Sequence, residues 1–259
     1  MVIRLISGLV LAPMVLAIVY IGQPYFVLLV LALTIAMAWE LEVIADKVFS
    51  PWGMALAVLS GAAILLSIWD IEWAFFSGFA FAVILATLTK AFRQRRGLFL
   101  GASALYLIIP ALSLVYLHQS FGYLSVLWLF LVIWGTDVGA YLFGTLIGGA
   151  KLMPSISPNK TWAGCLGAEV SAVGVSALVM LFVTDSVEPI LLVFAAVIAL
   201  VGQVGDLCES VFKRRFEVKD SGTLIPGHGG VMDRFDGLWA AAPVAALFGV
   251  VIQGGLTQW

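Results

Sequence analysis

The most polar stretch of this sequence, KRRFEVKDSGTLIPGHGGVMDRFD at residues 213–236, combines basic residues, carboxylates and a glycine-rich turn. Pro226, Gly227, Gly229 and Gly230 allow a compact turn with positive φ, in which consecutive backbone N–H groups can bind an anion. Hard carboxylate oxygens suit Mg²⁺, which binds through one or two carboxylates together with substrate phosphates. Lys and Arg neutralise the remaining phosphate oxygens. The stretch therefore predicts a site for a phosphorylated ligand and a divalent cation.

A second polar segment, GQVGDLCESVFKRRFEVKD at 202–220, leads into this stretch. On a continuous helix Asp206, Glu209, Ser210 and Lys213 fall at i, i+3, i+4 and i+7, so they form one polar face that emerges from the apolar residues before it. Snorkelling of long side chains at a helix end explains the basic residues here. It does not explain Asp206, which has no apolar stem, and we therefore expect a functional role for that carboxylate.

The segment KLMPSISPNKTWAG, 151–164, contains two prolines and several hydroxyl residues, so it is predicted to be a loop and not a helix. Ser157, Lys160 and Thr161, together with nearby backbone N–H groups, could bind an anion where the next helix begins, since a helix N-terminus carries partial positive charge. The signal is modest by itself, because any loop that follows a membrane helix can carry a lysine.

A carboxylate also lies inside an apolar segment, at Asp137 in WGTDVGAYLFGTLIGG, 134–149. Such a residue usually faces a cavity, a partner or an ion, and packing or capping is the alternative role. Tyr141 lies at i+4 on the same face, followed by Gly144 and Gly148, which as a small-xxx-small pair would allow close helix contact.

The elements that must position these residues are membrane helices. The chain is 63% hydrophobic and 11% charged, with a mean hydropathy of +1.12, far more apolar than a soluble domain. Continuously apolar runs of about 20 residues indicate helices that span a bilayer, because backbone N–H and C=O groups in lipid must form their hydrogen bonds with one another. The predicted fold is an all-α polytopic membrane protein with nine spans, at roughly 5–22, 25–45, 52–69, 73–89, 98–117, 123–147, 164–184, 189–206 and 238–256.

The basic residues predict an orientation. With nine spans and a cytoplasmic N-terminus, all 13 Lys and Arg fall on one side of the membrane, which satisfies the positive-inside rule and leaves the C-terminus outside. The loop LTKAFRQRRG at 88–97, with Arg93, Arg95 and Arg96, is interpreted as an anchor of this topology. Loops 148–163 and 207–237 then share the cytoplasmic side, and Glu40 and Glu42 are expected to be interfacial.

Other classes of site are disfavoured. A net charge of −2 offers no basic surface for nucleic acid. Cys165 and Cys208 are predicted near the cytoplasmic ends of their spans, in a reducing compartment, so we interpret them as packing residues and not as a disulfide. Without nearby histidines they also make no zinc site.

The segment SVFKRRFEVKDSGTLIPGHGGVMDRFD, 210–236, resembles the signature of the phosphatidate cytidylyltransferases, also called CDP-diacylglycerol synthases. That signature is Ser, two residues, Lys-Arg, four residues, Lys-Asp, then Pro-Gly-His-Gly-Gly and Asp-Arg-x-Asp, and every position matches. TDVGAY and ISPNKTW are similar to other recurrent segments of the family. One position departs from the pattern: the family usually has Glu where this chain has Ala163, with Glu169 within two turns.

The resemblance implies that CTP and phosphatidate react to give CDP-diacylglycerol and pyrophosphate. Together with the predicted topology, this leads us to expect a site on the cytoplasmic side of a bacterial inner membrane. It implies Mg²⁺ as the cofactor, with a second cation left open, and Asp206 and Asp233 as the first choice of metal ligands. The remaining implied site residues are the carboxylates Asp236, Asp220 and Asp137, the phosphate-binding Lys160, Lys213, Arg214, Lys219 and Arg234, and the substrate-binding Ser157, Thr161, Tyr141, Gly229, Gly230 and His228, the last as a hydrogen-bond donor or turn organiser.

The sequence also suggests two domains with different roles. Residues 1–120 would form an N-terminal scaffold of about five spans for lipid access and oligomer contacts, and 121–259 a catalytic membrane domain. Two alternatives stay open: a cytidylyltransferase for another lipid phosphate, and a transporter of an anionic solute. The second would require polar groups near the bilayer midplane, whereas most of them cluster at one face. The oligomeric state is left open, with a homodimer among the options.

Overall fold

The computed structural model describes residues 2–92, 97–225, 227 and 229–254, and it describes no side chains for residues 2–8 and 92. Arg93, Arg95, Arg96, Pro226 and His228 therefore lie outside the described residues. Eight α-helices account for most of the described chain, which confirms the all-α membrane class. They are α1 (Val2–Ile21), α2 (Tyr25–Asp46), α3 (Pro51–Leu66), α4 (Ile71–Phe92), α5 (Gly97–Leu146), α6 (Trp162–Thr184), α7 (Pro189–Arg215) and α8 (Met232–Ile252).

Six of the helices in the described part of the chain are long and apolar enough to cross a membrane. The longest, α5, has 50 residues, about 75 Å at 1.5 Å per residue, which is more than twice the thickness of the hydrocarbon core. Its backbone breaks at Gly122, where φ is 78° and ψ is 171°, a conformation that residues with a β-carbon rarely adopt. Each part of α5 is long enough for one crossing. The count of nine spans and their orientation stay predictions.

The chain divides into two compact units. The N-terminal unit comprises the residues up to Tyr116 together with Asp220–Arg234, and the C-terminal unit comprises Leu117–Lys219 and the residues from Phe235 onward. In the N-terminal unit α2 packs against α1 and α3, and α3 against α4. The polar stretch that precedes α8 is thus part of the same unit as the first four helices. The predicted catalytic role of residues 121–259 as a domain stays a prediction.

In the C-terminal unit α6 packs against α7, and glycines bring further helices close together. A β-carbon at Gly139 would collide with Ser171 of α6, and one at Gly205 of α7 would lie 2.9 Å from the carbonyl oxygen of Asp236 on α8. Gly144 also lies against the start of α6, as predicted. The prediction for Gly148 is wrong, because α5 ends at Leu146 and Gly148 continues the chain with a φ of 65°.

The segment between α5 and α6 is not helical, as predicted, but it contains strands. β1 (Lys151–Met153) pairs antiparallel with β2 (Ser157–Thr161), and the turn is closed by the Ile156 N–H, which donates to the Met153 carbonyl over 3.1 Å. The register shifts within the pair, so that Lys151 lies opposite Thr161 and Met153 opposite Ser157. The hairpin carries Lys160 directly to the N-terminus of α6.

Candidate functional site

The predicted polar face of α7 is confirmed. The helix continues without interruption to Arg215, and Ser210 Oγ lies 3.4 Å from Asp206 Oδ1 within hydrogen-bonding range. One turn further on, Lys213 Nζ lies 3.4 Å from Glu209 Oε1. With 27 residues, α7 is about 40 Å long, roughly 10 Å more than a hydrocarbon core requires. Its last turns can therefore carry this polar face beyond the apolar part of the bilayer.

An ion pair joins the hairpin to this face. The Nζ of Lys160, near the end of β2, lies 2.5 Å from Oδ2 of Asp206, and both side chains keep some exposure, 26% and 39%. Next to Lys160, the Thr161 side chain caps α6 by accepting the Gly164 N–H over 3.1 Å. The hydroxyl of Thr161 thus has a role in ending the hairpin and starting the helix. The ammonium group of Lys160 thus connects the hairpin to the Asp206 carboxylate on α7.

Asp236 belongs to the same cluster. It lies in the second turn of α8, close to the Glu209 side chain and in electrostatic range of Asp206 and Lys213. Gly205 permits this approach of α7 and α8, since a β-carbon there would meet the Asp236 backbone. We call Lys160, Asp206, Glu209, Lys213 and Asp236 the α7 cluster. The sequence interpretation gave Glu209 no role at the site, although its i+3 spacing from Asp206 was a signal for one.

The α7 cluster has the donor chemistry of a Mg²⁺ site without a complete set of protein ligands. Within residues 2–92, 97–225, 227 and 229–254, no three His, Cys, Asp or Glu side chains are arranged to hold a metal ion. Mg²⁺ commonly takes one or two carboxylates and completes its octahedron with water and substrate phosphates. Asp206 and Asp236 fit that pattern only if a phosphorylated substrate supplies further oxygens.

The N-terminal unit contains a second carboxylate network, centred on Asp233. Its Oδ2 accepts two backbone hydrogen bonds, from Ser221 N at 2.8 Å and Gly230 N at 2.9 Å. The Ser221 hydroxyl in turn lies 3.4 Å from the Asp233 N–H, which donates to it. Asp233 was predicted as a metal ligand. One of its two oxygens is used to order the loop 220–234.

The glycine-rich turn adopts the backbone predicted for it. Gly227 and Gly229 have φ values of 77° and 91°, and the turn is closed by the Ile225 N–H, which donates to the Gly229 carbonyl over 2.9 Å. A β-carbon at Gly229 would also lie 2.8 Å from Asp233 Oδ2. Glycine is therefore required at this position by both its conformation and its neighbour.

The interfacial position expected for Glu40 and Glu42 stays a prediction, but their surroundings within the protein are clear. Both side chains of α2 are fully buried. The carboxylate of Glu40 accepts hydrogen bonds from the loop 220–234 and from the start of α8, while Glu42 accepts the Ser50 hydroxyl ahead of α3. Glu40 is the clearest omission of the sequence interpretation, since its partners lie about 190 residues away along the chain.

The remaining predicted residues have fewer described contacts at the site. Arg214 Nη1 donates to the Val218 carbonyl over 3.1 Å, where it helps to end α7. Ser157 is half-buried at the start of β2, and Gly230 is buried in the loop. The other predicted residues are exposed: Asp137, Tyr141, Lys219, Asp220 and Arg234.

Glu169 is the carboxylate nearest in sequence to the position where Ala163 departs from the signature. It accepts a hydrogen bond from Gln203 Nε2 over 3.0 Å, which joins α6 to α7 about one turn before Asp206. This contact does not show that Glu169 replaces the glutamate that the family usually has at position 163.

Comparison with known proteins agrees with these features. The sequence model of the Cytidylyltransferase family matches residues 2–252. A protein named phosphatidate cytidylyltransferase from Brucella suis biovar 1 is 38% identical over 96% of this chain and 93% of its own length, and that of Brucella melitensis biotype 1 shows the same values. One from Staphylococcus saprophyticus is 45% identical over 51% of this chain and 52% of its own length. With its two carboxylate networks and a family match along nearly its whole length, the chain belongs to the cytidylyltransferase family.

Proposed function

We propose that this protein is a phosphatidate cytidylyltransferase, which transfers CMP from CTP to phosphatidate in phospholipid biosynthesis. An oxygen of the lipid phosphate attacks the α-phosphorus of CTP, and the bond from that phosphorus to the oxygen bridging to the β-phosphate breaks. CDP-diacylglycerol forms and pyrophosphate leaves. The observation that carries the proposal is the α7 cluster, in which carboxylates and lysines meet at the end of a membrane helix. A soluble nucleotide and a membrane lipid can meet at such a place.

The nucleophile needs little activation. The second pKa of a phosphate monoester is about 6, so the lipid phosphate is largely a dianion at pH 7. Catalysis can then rest on holding two highly charged phosphate groups in line and neutralising the charge that develops. The α7 cluster supplies lysines for this purpose. The loop 220–234 contributes Arg234 and has ordered backbone N–H groups.

Lys160 is proposed to exchange partners during the reaction. Lys160 forms an ion pair with Asp206. When phosphates enter, the ammonium group can turn to a phosphate oxygen, because a partly exposed lysine retains rotamer freedom. Lys213, Arg214, Lys219 and Arg234 are the further candidates for phosphate oxygens, as the signature implies.

Mg²⁺ is the proposed cofactor, held by Asp206 and Asp236 together with substrate phosphates, with Asp233, Asp220 and Asp137 as additional candidates. When bound, the cation would neutralise phosphate charge and align the leaving pyrophosphate. The carboxylates contribute by holding negative charge where a cation is needed. A second cation stays part of the proposal, since the cluster has three carboxylates.

The proposed location is the bacterial cytoplasmic membrane, with loops 148–163 and 207–237 on the cytoplasmic side. The support is the segregation of the 13 basic residues. Single cysteines at Ser155 and Thr223, both exposed, can be introduced after replacement of Cys165 and Cys208. An impermeant maleimide should label them in inverted vesicles and not in intact cells, with Asp185→Cys giving the opposite pattern. Labelling of Ser155→Cys in intact cells would contradict the location.

The activity is tested with purified protein, labelled CTP, phosphatidate and Mg²⁺. We expect a cytidine-labelled product that partitions into the organic phase, and release of one pyrophosphate per product. Omission of phosphatidate and chelation of Mg²⁺ should each abolish it. If label enters only another lipid phosphate, such as an isoprenoid ether lipid, the substrate is wrong; if no lipid is labelled, the transfer itself is contradicted. The homodimer is tested by the mass of the detergent-solubilised protein.

A further inference from the structure

Glu40 connects two parts of the chain that the sequence keeps far apart. It lies on α2, fully buried, and its carboxylate accepts three hydrogen bonds from the loop and the first residues of α8. The Ser221 hydroxyl donates to Oε2 over 2.9 Å, the Val231 N–H to Oε1 over 2.7 Å, and the Met232 N–H to Oε2 over 2.9 Å. All of these residues belong to the N-terminal unit.

Two of these contacts provide acceptors for backbone N–H groups at the start of α8, which have no partner in the neighbouring chain. The first N–H groups of a helix have no partner within the helix, and a carboxylate near them is favoured by the helix dipole. Glu40 thus caps α8 from another helix. It also holds Ser221, whose own N–H and hydroxyl contact Asp233. The carboxylate of Glu40 is therefore connected to Asp233 through a single side chain.

The loop is shaped around this carboxylate. A β-carbon at Gly222 would lie 2.9 Å from Glu40 Oε1, and one at Gly230 would lie 2.6 Å from the same oxygen. Such distances are shorter than a carbon and an oxygen tolerate, so both positions need the absence of a side chain. The need arises from the approach of α2. Gly230, which belongs to the signature, and Gly222, which lies between its fixed positions, are thus matched to a glutamate outside the signature.

We infer that Glu40 is a positioning residue for the cytidylyl transfer: it holds the loop 220–234 and the start of α8 in the arrangement that presents Asp233. The inference rests on the proposed function. It also assigns to α2 a part in the reaction, beyond the scaffold role expected of the N-terminal helices. Glu40 touches no reacting atom and acts through Ser221 and the backbone of Val231 and Met232.

The test compares Glu40→Gln with Glu42→Gln. Both changes remove one charge from the same helix at the same full burial, but Glu42 contacts Ser50 instead of the loop. We expect Glu40→Gln to lower kcat about ten- to a hundredfold, because an amide NH₂ would face a backbone N–H donor. The KM for CTP should change less. Hydrogen exchange should speed up in 220–234 and not in α3, and Glu40→Asp should restore part of kcat.

Three results would overturn the inference: equal loss of kcat in both Gln variants, faster exchange in 220–234 with an unchanged kcat, or a loss in kcat without faster exchange there. If Glu40→Gln does not fold, Ser221→Ala provides the test, since it removes one of the three hydrogen bonds to Glu40. It should lower kcat several-fold and speed up exchange in 220–234, and unchanged values would contradict the inference. Hydrogen exchange can be measured without turnover. If the wild-type protein transfers no label to lipid, the proposed function fails, whereas the exchange data still report whether Glu40 orders the loop 220–234.

Discussion

Asp233 in the N-terminal unit accepts backbone N–H groups at 2.8 and 2.9 Å, whereas Asp206 in the C-terminal unit faces the ammonium group of a partly exposed lysine. Backbone donors are fixed by the fold, so they give the loop 220–234 one shape. A lysine on a flexible stem can leave its partner when a phosphate or a cation arrives. The Asp233 network thus holds a loop in one shape, whereas the Asp206 network is proposed to exchange partners.

The largest expected effect comes from removing the charge of either central carboxylate. Asp206→Asn and Asp233→Asn should each lower kcat by about 10²–10³ or more while the protein stays folded, because Asn keeps the size but loses the charge. Steady-state turnover with CTP and phosphatidate measures this. Asp185→Asn is the matched control, since Asp185 is exposed and Asn tolerates its φ of 53°.

Hydrogen exchange separates the two carboxylates. Asp233→Asn should also speed up exchange at Ser221 and Gly230, whose N–H groups lose a charged acceptor. Asp206→Asn should leave exchange in 220–234 unchanged. Equal exchange in the two variants would contradict the distinction between an ordering and an exchangeable carboxylate.

A smaller effect is expected at the exchangeable lysine. If Lys160 binds a substrate phosphate, Lys160→Ala removes a charge-assisted hydrogen bond of about 1.5–3 kcal/mol, or roughly ten- to a hundredfold in kcat/KM. Lys151→Ala changes the same hairpin on the facing strand, where the lysine is exposed, and should alter kcat/KM less than twofold. Equal small losses at both positions would mean that the hairpin is only a solvated basic surface.

The smallest effect concerns stability. Gly230→Ala would press a methyl group against Ser221 and Glu40 and should destabilise the protein by about 1–3 kcal/mol. Gly174→Ala on α6 meets nothing within 4 Å, and should stabilise it by up to about 1 kcal/mol through helix propensity. Thermal unfolding in one detergent measures both. A Gly230→Ala variant as stable as wild type would show that Glu40 does not confine the loop.

The residues that the sequence predicts well are those with local patterns. The polar face of α7 follows from helical spacing, and the apolar runs identify the helices, because both depend on neighbours a few residues away. The positive φ of Gly227 and Gly229 follows from turn chemistry in the same way. The expectation of a functional role for Asp206 needs only the contrast between a short carboxylate and its apolar surroundings, and that role stays a prediction.

The residues that it misses depend on distant partners. Glu40 has the pattern of any carboxylate near the end of a membrane helix, and only the folded chain shows that its partners come from 220–232. The strands 151–153 and 157–161 are too short for a period-2 signal, and the prolines Pro154 and Pro158 argue against strands there. The prediction that Gly148 lies on the helix face of Gly144 was wrong for a related reason, since nothing in the spacing shows that α5 ends at Leu146.

The hydrogen bonds of Glu40 have a consequence for the order of events during synthesis. Val231 follows Glu40 by 191 residues, so at about 5–20 residues per second α2 is made roughly 10–40 s before its donors leave the ribosome. For most of that interval the Glu40 carboxylate has none of its three final partners, since Ser221, the earliest of them, follows it by 181 residues. Most of the N-terminal unit is thus translated first, yet the unit cannot be completed until α8 begins. A nascent chain arrested before Ser221 would leave the Glu40 carboxylate without these partners.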